Sequence, residues 1–400
     1  MVLRPTQWGG TMKKVITSEK TAIKLWLDDM DSGALVQVKN LANLPFVFRH
    51  VAVMPDVHQG YGMPIGGVMA SEEMVIPNAV GVDIGCGMCA VRTSLTTLST
   101  EKLKAVLAEI RRTIPLGFKH HNTAQDRRLM PKSEVPLEEL TVIAREYSSA
   151  LTQLGTLGGG NHFIEIQKGN DGHVWLMVHS GSRNLGFKVA NYYNRLAMEL
   201  NRKWGSKIPP NWQLAFLPIN SPAGQIYLHE MRFCVEFAYA NRKMMMERVK
   251  DAILSVVQPV TFEPMINIAH NYAAMEEHFG KNVIVHRKGA TRAQAGEIGI
   301  VPGSQGTPSY IVRGKGNKES FESCAHGAGR KMGRKQAQRQ LDLAQEKKRL
   351  DEQGIIHAIR SVSDLEEAAG AYKDIDEVID NQLDLVEVLV ELRPLAVVKG

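Results

Sequence analysis

The spacing of apolar residues sorts the chain into helical and extended segments. In "EKLKAVLAEIRRT", residues 101–113, Leu103, Val106, Leu107 and Ile110 recur at the three- and four-residue steps that share one helical face. The same period runs through 136–153, 187–204, 222–254 and 374–391 and predicts four further helices. Between them lie short β-rich apolar runs: "HVAVM" at 50–54, "FIEI" at 163–166, "VWLMV" at 174–178, "MINIA" at 265–269, "VIV" at 283–285 and "SYIV" at 309–312. These strands are too irregularly spaced, and too often interrupted by glycine-rich turns, for a doubly wound pattern or a fixed-length repeat. The expectation is an α+β fold, one large domain over 1–400 in which mixed β-sheets carry flanking helices. Residues 1–14 are expected to be a peripheral N-terminal extension, with Met12 and its two following lysines offering an alternative start.

Composition narrows this only a little. The 48 Lys and Arg against 42 Asp and Glu leave a net charge of +6, which permits a polyanionic partner without requiring one. Cys86, Cys89, Cys234 and Cys324 are too few and too scattered for a secreted disulfide scaffold, which favours a reducing, cytoplasmic setting. No stretch has the apolar length of a signal peptide core or a bilayer span, so no membrane role is expected. One segment is locally basic: "RKMGRKQAQRQLDLAQEKKR", 330–349, has eight basic residues and two acidic ones. It reads either as a solvated helix face or as a contact for a phosphate backbone.

Candidate chemistry gathers at strand ends. His179 closes "VWLMV" and opens "HSGSR", His270 closes "MINIA" and opens "HNY", and His162 leads into "FIEI" from a glycine-rich loop. Strand ends project side chains into the loop layer, where functional groups collect on a rigid scaffold. "GVDIGCGM", 81–88, adds Asp83 and Cys86 in a turn that can aim both at one point. Imidazole, thiolate and carboxylate together suit a borderline divalent ion, and a thiolate can bridge two of them. The competing reading pairs Cys86 with Cys89 as C-x-x-C; a zinc knuckle would need a second pair, and a redox dithiol would need a following helix. "LGTLGGGNHFIEI" and "VPGSQGTPSY" read as anion cradles or as tight turns. In "ESCAHGAGRKMGRK", His326 stands among small residues before Arg330, where an imidazole could accept a phosphoryl or nucleotidyl group, or could be an ordinary turn histidine.

Taken in order, "MPDVHQGYGMPIGG", "GVDIGCGM", "LGTLGGGNHFIEI", "HSGSR", "AHNYA", "HRKGATRA", "PGSQGTPSYIVRG", "SCAHGAGR", "AYKDIDEV" and the terminal "VKG" resemble the RtcB-type RNA ligases from about residue 15 to 400. The resemblance implies that family's fold with a metal site in a central cleft. It also implies ligation of an RNA 3'-phosphate or 2',3'-cyclic phosphate to a 5'-hydroxyl end, with GTP as cosubstrate, two manganese ions as cofactor, and room for an activating protein partner. Carried over residue by residue, Cys86 would bridge the two ions, one also held by Asp83 and His162 and the other by His179 and His270. His326 matches the histidine that becomes guanylylated. Asn161, Phe163, Glu165, Asn271, Ser304, Ser309, Gly327, Gly329, Tyr372 and Lys399 match guanylate-binding positions, and Arg183 and Arg330 match arginines near the phosphates. Gln305 departs from the common "GSMG", Cys89 has no constant counterpart, and His58 and His286 carry no assigned role. Two rivals remain beside this expectation: a metal-dependent phosphoesterase that opens cyclic phosphates without ligating, and a non-enzymatic RNA-binding subunit.

Overall fold

The longest helical pattern becomes one helix, Pro222–Leu254, of 33 residues. Ser221 caps it by accepting the Gly224 amide, and a proline in the first turn sacrifices an amide that no helical carbonyl could have used. Its inner face carries Cys234, Phe237, Ala238, Met245, Met246 and Val249, and in the middle of that face Asn241 and Arg242, both fully buried. Helix Arg183–Lys203 packs beside it through Leu185, Val189, Tyr193 and Ala197, and helix Thr100–Thr113 buries the four apolar residues named above.

The computed structural model describes residues 12–400 together with the strand Val2–Leu3. Residue 1 and residues 4–11 of the expected 1–14 extension lie outside the described residues, while Lys14 already opens the strand Lys14–Ile16. Two seven-stranded sheets form the framework. In the first, Ala22–Leu25 and Val47–His58 run parallel, and Ile65–Ser71, Lys281–Lys288 and Asn271–His278 continue it with antiparallel pairing. The second is antiparallel throughout, in the order Ile266–Ala269, Gly87–Arg92, Val174–Ser180, Phe163–Gly169, Val386–Lys399, Ser309–Gly314, Ile298–Val301. Helices and sheets of this kind accord with the α+β expectation. No helix among the described residues is long and apolar enough to cross a membrane.

Antiparallel order has a consequence for where functional groups meet. The end of each strand lies beside the start of its neighbour, so Ala269, Gly87, Ser180, Phe163 and Lys399 all reach the same edge of the second sheet.

Two helical expectations hold only in part: the 136–153 pattern splits into a short 3-10 turn, Leu137–Glu139, and the helix Ile143–Gln153. The 374–391 pattern is not a continuous helix: a short helix, Ile375–Asp380, ends at Asn381, and Val386–Lys399 is a strand. "VEVLVELR" alternates apolar and polar residues and is rich in valine, so two flanking strands capture it in a ladder that outweighs its helical spacing.

Candidate metal centre and adjoining cavity

The turn 81–86 is closed by the Cys86 amide donating to the Asp83 carbonyl at 3.1 Å, which places both side chains on one side. Gly85 must be glycine there: its φ is +75°, and a Cβ would meet the Val235 Cα of the long helix at 2.8 Å. The turn is fastened to the other ligand segment. The His270 amide donates to the Cys86 carbonyl at 2.8 Å, the Gly85 amide donates to the Asn271 carbonyl at 2.8 Å, and Asn271 Nδ2 donates to the Asp83 carbonyl at 3.0 Å.

Four of the five expected ligands, Asp83, Cys86, His162 and His179, are joined by direct side-chain contacts. Cys86 Sγ lies 3.5 Å from His162 Nε2 and 3.3 Å from His179 Nε2, and His162 Nε2 lies 3.2 Å from Asp83 Oδ2. His162 Nδ1 donates to the Leu157 carbonyl and His179 Nδ1 to the Asn161 carbonyl, which fixes both tautomers with a free Nε2 lone pair aimed inward. His270 stacks obliquely on His179 with ring centroids 5.3 Å apart, and its buried Nδ1 has no hydrogen-bond partner. The atoms form two triads sharing Cys86, one with Asp83 and His162 and one with His179 and His270, each within 4.8 Å.

This donor set fits divalent ions. Donors about 3.2–3.5 Å apart are what bonds of roughly 2.0–2.3 Å at near-tetrahedral angles would give. Burial above all pushes His179 and His270 well down, so both rings stay neutral as ligation requires. Burial and the adjacent Asp83 carboxylate push the Cys86 thiol well up, a cost that a dication on the sulfur would remove. Burial is the largest influence on Asp83 and works to raise it, but contacts with His162, Cys86 and Arg183 together outweigh it and keep the carboxyl low.

Two residues of the long helix position these ligands, and sequence reading missed both. Asn241 Oδ1 accepts the Gly155 and Thr156 amides at 2.7 and 3.1 Å, while its Nδ2 donates to Ser180 Oγ and the Gly181 carbonyl at 3.2 and 3.1 Å. Arg242 donates to the carbonyls of Gly85 and Ser180, both at 2.9 Å, and to Asn267 Oδ1 at 2.7 Å. Together they tie down the segments that lead to His162, His179, Cys86 and His270.

Beside this centre lies a cavity of about 730 Å³, with His179 and His326 in its wall. His326 follows the short strand Ser323–Ala325 and sits 4.8 Å, centroid to centroid, from the His270 ring. Asp56, fully buried near the end of Val47–His58, accepts three bonds on Oδ2: from His326 Nδ1 at 2.6 Å, from the His326 amide at 3.0 Å and from the Gly327 amide at 3.3 Å. That arrangement makes Nδ1 the donor and leaves Nε2 with a lone pair. Gly329 approaches so closely that a Cβ would meet the Asp56 carbonyl at 2.1 Å, and its φ is +70°. Nothing in the sequence of "MPDVHQGYG" points Asp56 at His326, which lies 270 positions away.

Most of the other expected residues line the same cavity: Asn161, Phe163 and Glu165 at one strand entrance, with Lys399 paired beside Phe163 on the next strand, Ser304 on the loop before Ser309, and Gly327, Gly329, Arg330 and Tyr372. Glu367, not anticipated, joins several of them. Its carboxylate accepts from Arg330 at 3.2 Å, from the Tyr372 hydroxyl and from Lys399 at 3.5 Å, with Arg334 at 3.9 Å. Burial raises Glu367, yet these partners, Lys399 first, bring it below its ordinary value. Burial pushes Glu165 up to about 8 against the opposing pull of Lys399, and burial likewise lowers Lys399. Gln305, the departure from the common motif, lines the cavity and donates to the Glu367 carbonyl at 3.0 Å.

Three expected residues stand off the cavity wall. Ser309 is buried behind it, its Oγ accepting from the Gly303 amide and Gln167 Nε2. Asn271 braces the Asp83 turn and also accepts the Gly289 amide at 2.7 Å. Arg183 lies on the metal-centre side, donating to Thr156 Oγ1 at 3.1 Å and feeling the Asp83 charge, although burial is the larger influence on it. His58 lines the cavity, where burial pushes it down to about 4. His286 accepts the Ile76 amide and donates to the Met69 carbonyl inside the first sheet, a structural placement. Cys89 packs among Val91, Leu103, Val106 and Ile164, away from the cluster, so the C-x-x-C reading finds no support among the contacts.

The comparisons with known proteins agree on one family. The family model described as "tRNA-splicing ligase RtcB" matches residues 37–400. The RNA-splicing ligase RtcB of Escherichia coli (strain K12) is 39% identical over 412 residues, covering 97% of this chain and 99% of that protein. The tRNA-splicing ligases RtcB of Thermococcus kodakarensis and Nanoarchaeum equitans are 35% and 32% identical, covering 92% and 97% of this chain and 91% and 95% of their own lengths.

Proposed function

The chain belongs to the RtcB family, and from that premise we propose that it is an RNA ligase of the cytoplasm, working as one catalytic unit. It joins an RNA end bearing a 3'-phosphate or 2',3'-cyclic phosphate to a 5'-hydroxyl end and consumes GTP. The observation that carries this reading is the His326 ring, locked by Asp56 with Nε2 free, one ring contact away from a cluster of buried sulfur and nitrogen donors with a half-buried carboxylate. RNA binding alone needs none of these groups.

His326 Nε2 attacks the α-phosphorus of GTP, the bond to the bridging oxygen breaks and pyrophosphate leaves. As the N–P bond forms, the ring gains positive charge, and the Asp56 carboxylate holds the Nδ1 proton against it. An oxygen of the RNA 3'-phosphate then takes the GMP, restoring His326. The 5'-hydroxyl of the second end loses its proton as it attacks that activated phosphate, displacing GMP and closing the phosphodiester. A cyclic phosphate end is first opened by water to a 3'-phosphate. When bound, two manganese ions, on Asp83, Cys86 and His162 and on Cys86, His179 and His270, supply Lewis-acid charge withdrawal at the phosphates.

The cavity groups suit guanine. In this reading the Glu165 carboxyl meets the base's N–H edge and Lys399 donates to its carbonyl; both line the cavity, and the Lys399 ammonium lies 5.7 Å from the Phe163 ring. Asn161, Ser304, Tyr372, Gly327 and Gly329 complete the enclosure, and Arg330 and Arg183 hold phosphates. Ser309 and Asn271 act indirectly, through the loop and the turn they support.

The test is retention of label on the denatured chain after incubation with α-labelled GTP and manganese. Wild type should keep it and His326→Ala should lose it; equal labelling of both would sink the assignment. Cys86→Ala should abolish labelling and lower bound manganese, whereas Cys89→Ala should do neither. Opening of cyclic phosphate ends with no GTP requirement and no ligated product would move the reading to the phosphoesterase.

A further inference from the structure

Phe118 is 98% exposed, more than any other large hydrophobic side chain described. It does not sit on a loose loop. Leu116 bridges to Gly158, the Gly117 amide donates to the Gly158 carbonyl at 3.1 Å, the Leu157 amide donates to the Pro115 carbonyl at 3.0 Å, and the His121 amide donates to the Thr152 carbonyl at 2.9 Å. The segment is therefore fixed to the glycine loop 158–160, which continues into Asn161 of the cavity and His162 of the metal centre.

The surroundings are cationic. A Cβ at Gly158 would meet the Arg183 guanidinium at 2.0 Å, and one at Gly160 would meet that of Arg334 at 3.0 Å, so both cations cover the same loop. Lys119 and His120 follow Phe118 and are exposed, and residues 111–125 contain no acidic side chain. A protein partner would call for a contiguous apolar patch, and Phe118 is instead a single ring flanked by cations and polar groups. A flat π-face on a rigid, basic support is how unpaired nucleic acid bases are held, stacking supplying the contact and the cations tracking the phosphates.

We propose that Phe118 is a stacking platform for an unpaired base of the RNA next to the reacting end, so that this chain favours ends whose last nucleotides are single-stranded. The proposal rests on the reading of the chain as an RNA ligase. Phe118 touches no reacting atom; it positions the strand whose terminal phosphate enters the cavity.

The experiment compares wild type with Phe118→Ala, Phe118→Leu and Phe118→Trp, using RNA with a 3'-phosphate and a single-stranded end. Loss of one stacked base should raise KM for RNA roughly 5- to 100-fold in the Ala and Leu variants, with label uptake from GTP unchanged, and Trp should restore the wild-type value. A 2-aminopurine placed in the terminal nucleotides should be quenched on binding wild type and not on binding Phe118→Ala. Annealing a complement through those nucleotides should abolish the difference between the two. Equal KM across the series, or a Leu variant as good as wild type, overturns the stacking role. Wild type that quenches 2-aminopurine but joins no ends overturns the ligase reading and leaves the stacking surface standing.

Discussion

Replacing Asp56 with asparagine isolates one charge at the centre of the proposed chemistry. Asp56 Oδ2 accepts three hydrogen bonds, including the 2.6 Å contact from His326 Nδ1, while Oδ1 has no partner. An asparagine can keep its carbonyl oxygen on the three donors and put its amide nitrogen where Oδ1 stands, so shape is preserved and charge is lost. A hydrogen bond to a charged group is worth about 1.5–3 kcal/mol and a neutral one about 0.5–1.5 kcal/mol, a loss of roughly 1–2 kcal/mol before reaction. As His326 bonds to phosphorus its ring becomes cationic, and in a buried setting the missing attraction should grow to about 2–4 kcal/mol. At 1.36 kcal/mol per tenfold, label uptake from α-labelled GTP should slow roughly 30- to 1000-fold in single-turnover measurements. Manganese content should not change, because Asp56 is in neither ligand triad. A folded, metal-loaded Asp56→Asn protein that labels within about threefold of wild type would refute the role given to this carboxylate.

Asn241→Ala should strip partners from the buried Gly155 and Thr156 amides and the Gly181 carbonyl at once. A stability loss of about 2–4 kcal/mol and a manganese affinity roughly 10- to 100-fold weaker are expected, from denaturant melts and metal titration; unchanged affinity would mean that the ligand loops hold their places without the helix. Burial raises the Glu165 carboxyl to about 8 from the ordinary 4.5, so between those values the folded chain keeps a proton that the unfolded chain releases. The stability tied to that proton is fully present below pH 4.5 and is lost as pH rises through about 8. In metal-free protein, the melting temperature of Glu165→Gln should therefore gain on wild type across that window and level off above it, and a constant offset would contradict the shift.

The side chains of the candidate metal cluster stand out in the sequence because they sit in motifs that are local: Asp83 and Cys86 share a turn, and His162, His179 and His270 each mark a strand end. The elements around them were legible for the same reason. The helix Pro222–Leu254 announces itself by spacing, and the runs at 174–178 and 309–312 by their β-branched and aromatic residues. The 374–391 segment shows the limit, since its helical spacing and its strand alternation compete and only the neighbouring ladders decide.

The supporting residues were hidden by distance. Asp56 acts on a histidine 270 positions away, Arg242 spans 157 positions to the Gly85 carbonyl, and Glu367 draws in Arg330 from 37 positions before it. One local signal was available: Asn241 and Arg242 interrupt an apolar helical face, and polar groups buried in such a face must find partners. Sequence alone determined which side chains could serve as ligands and nucleophile, because that is a matter of functional-group chemistry. Tertiary structure decided that they meet, the candidate ligands at one edge of an antiparallel sheet backed by a long helix and His326 beside them on Asp56, because strand pairing and buried hydrogen bonds set positions that no spacing along the chain encodes.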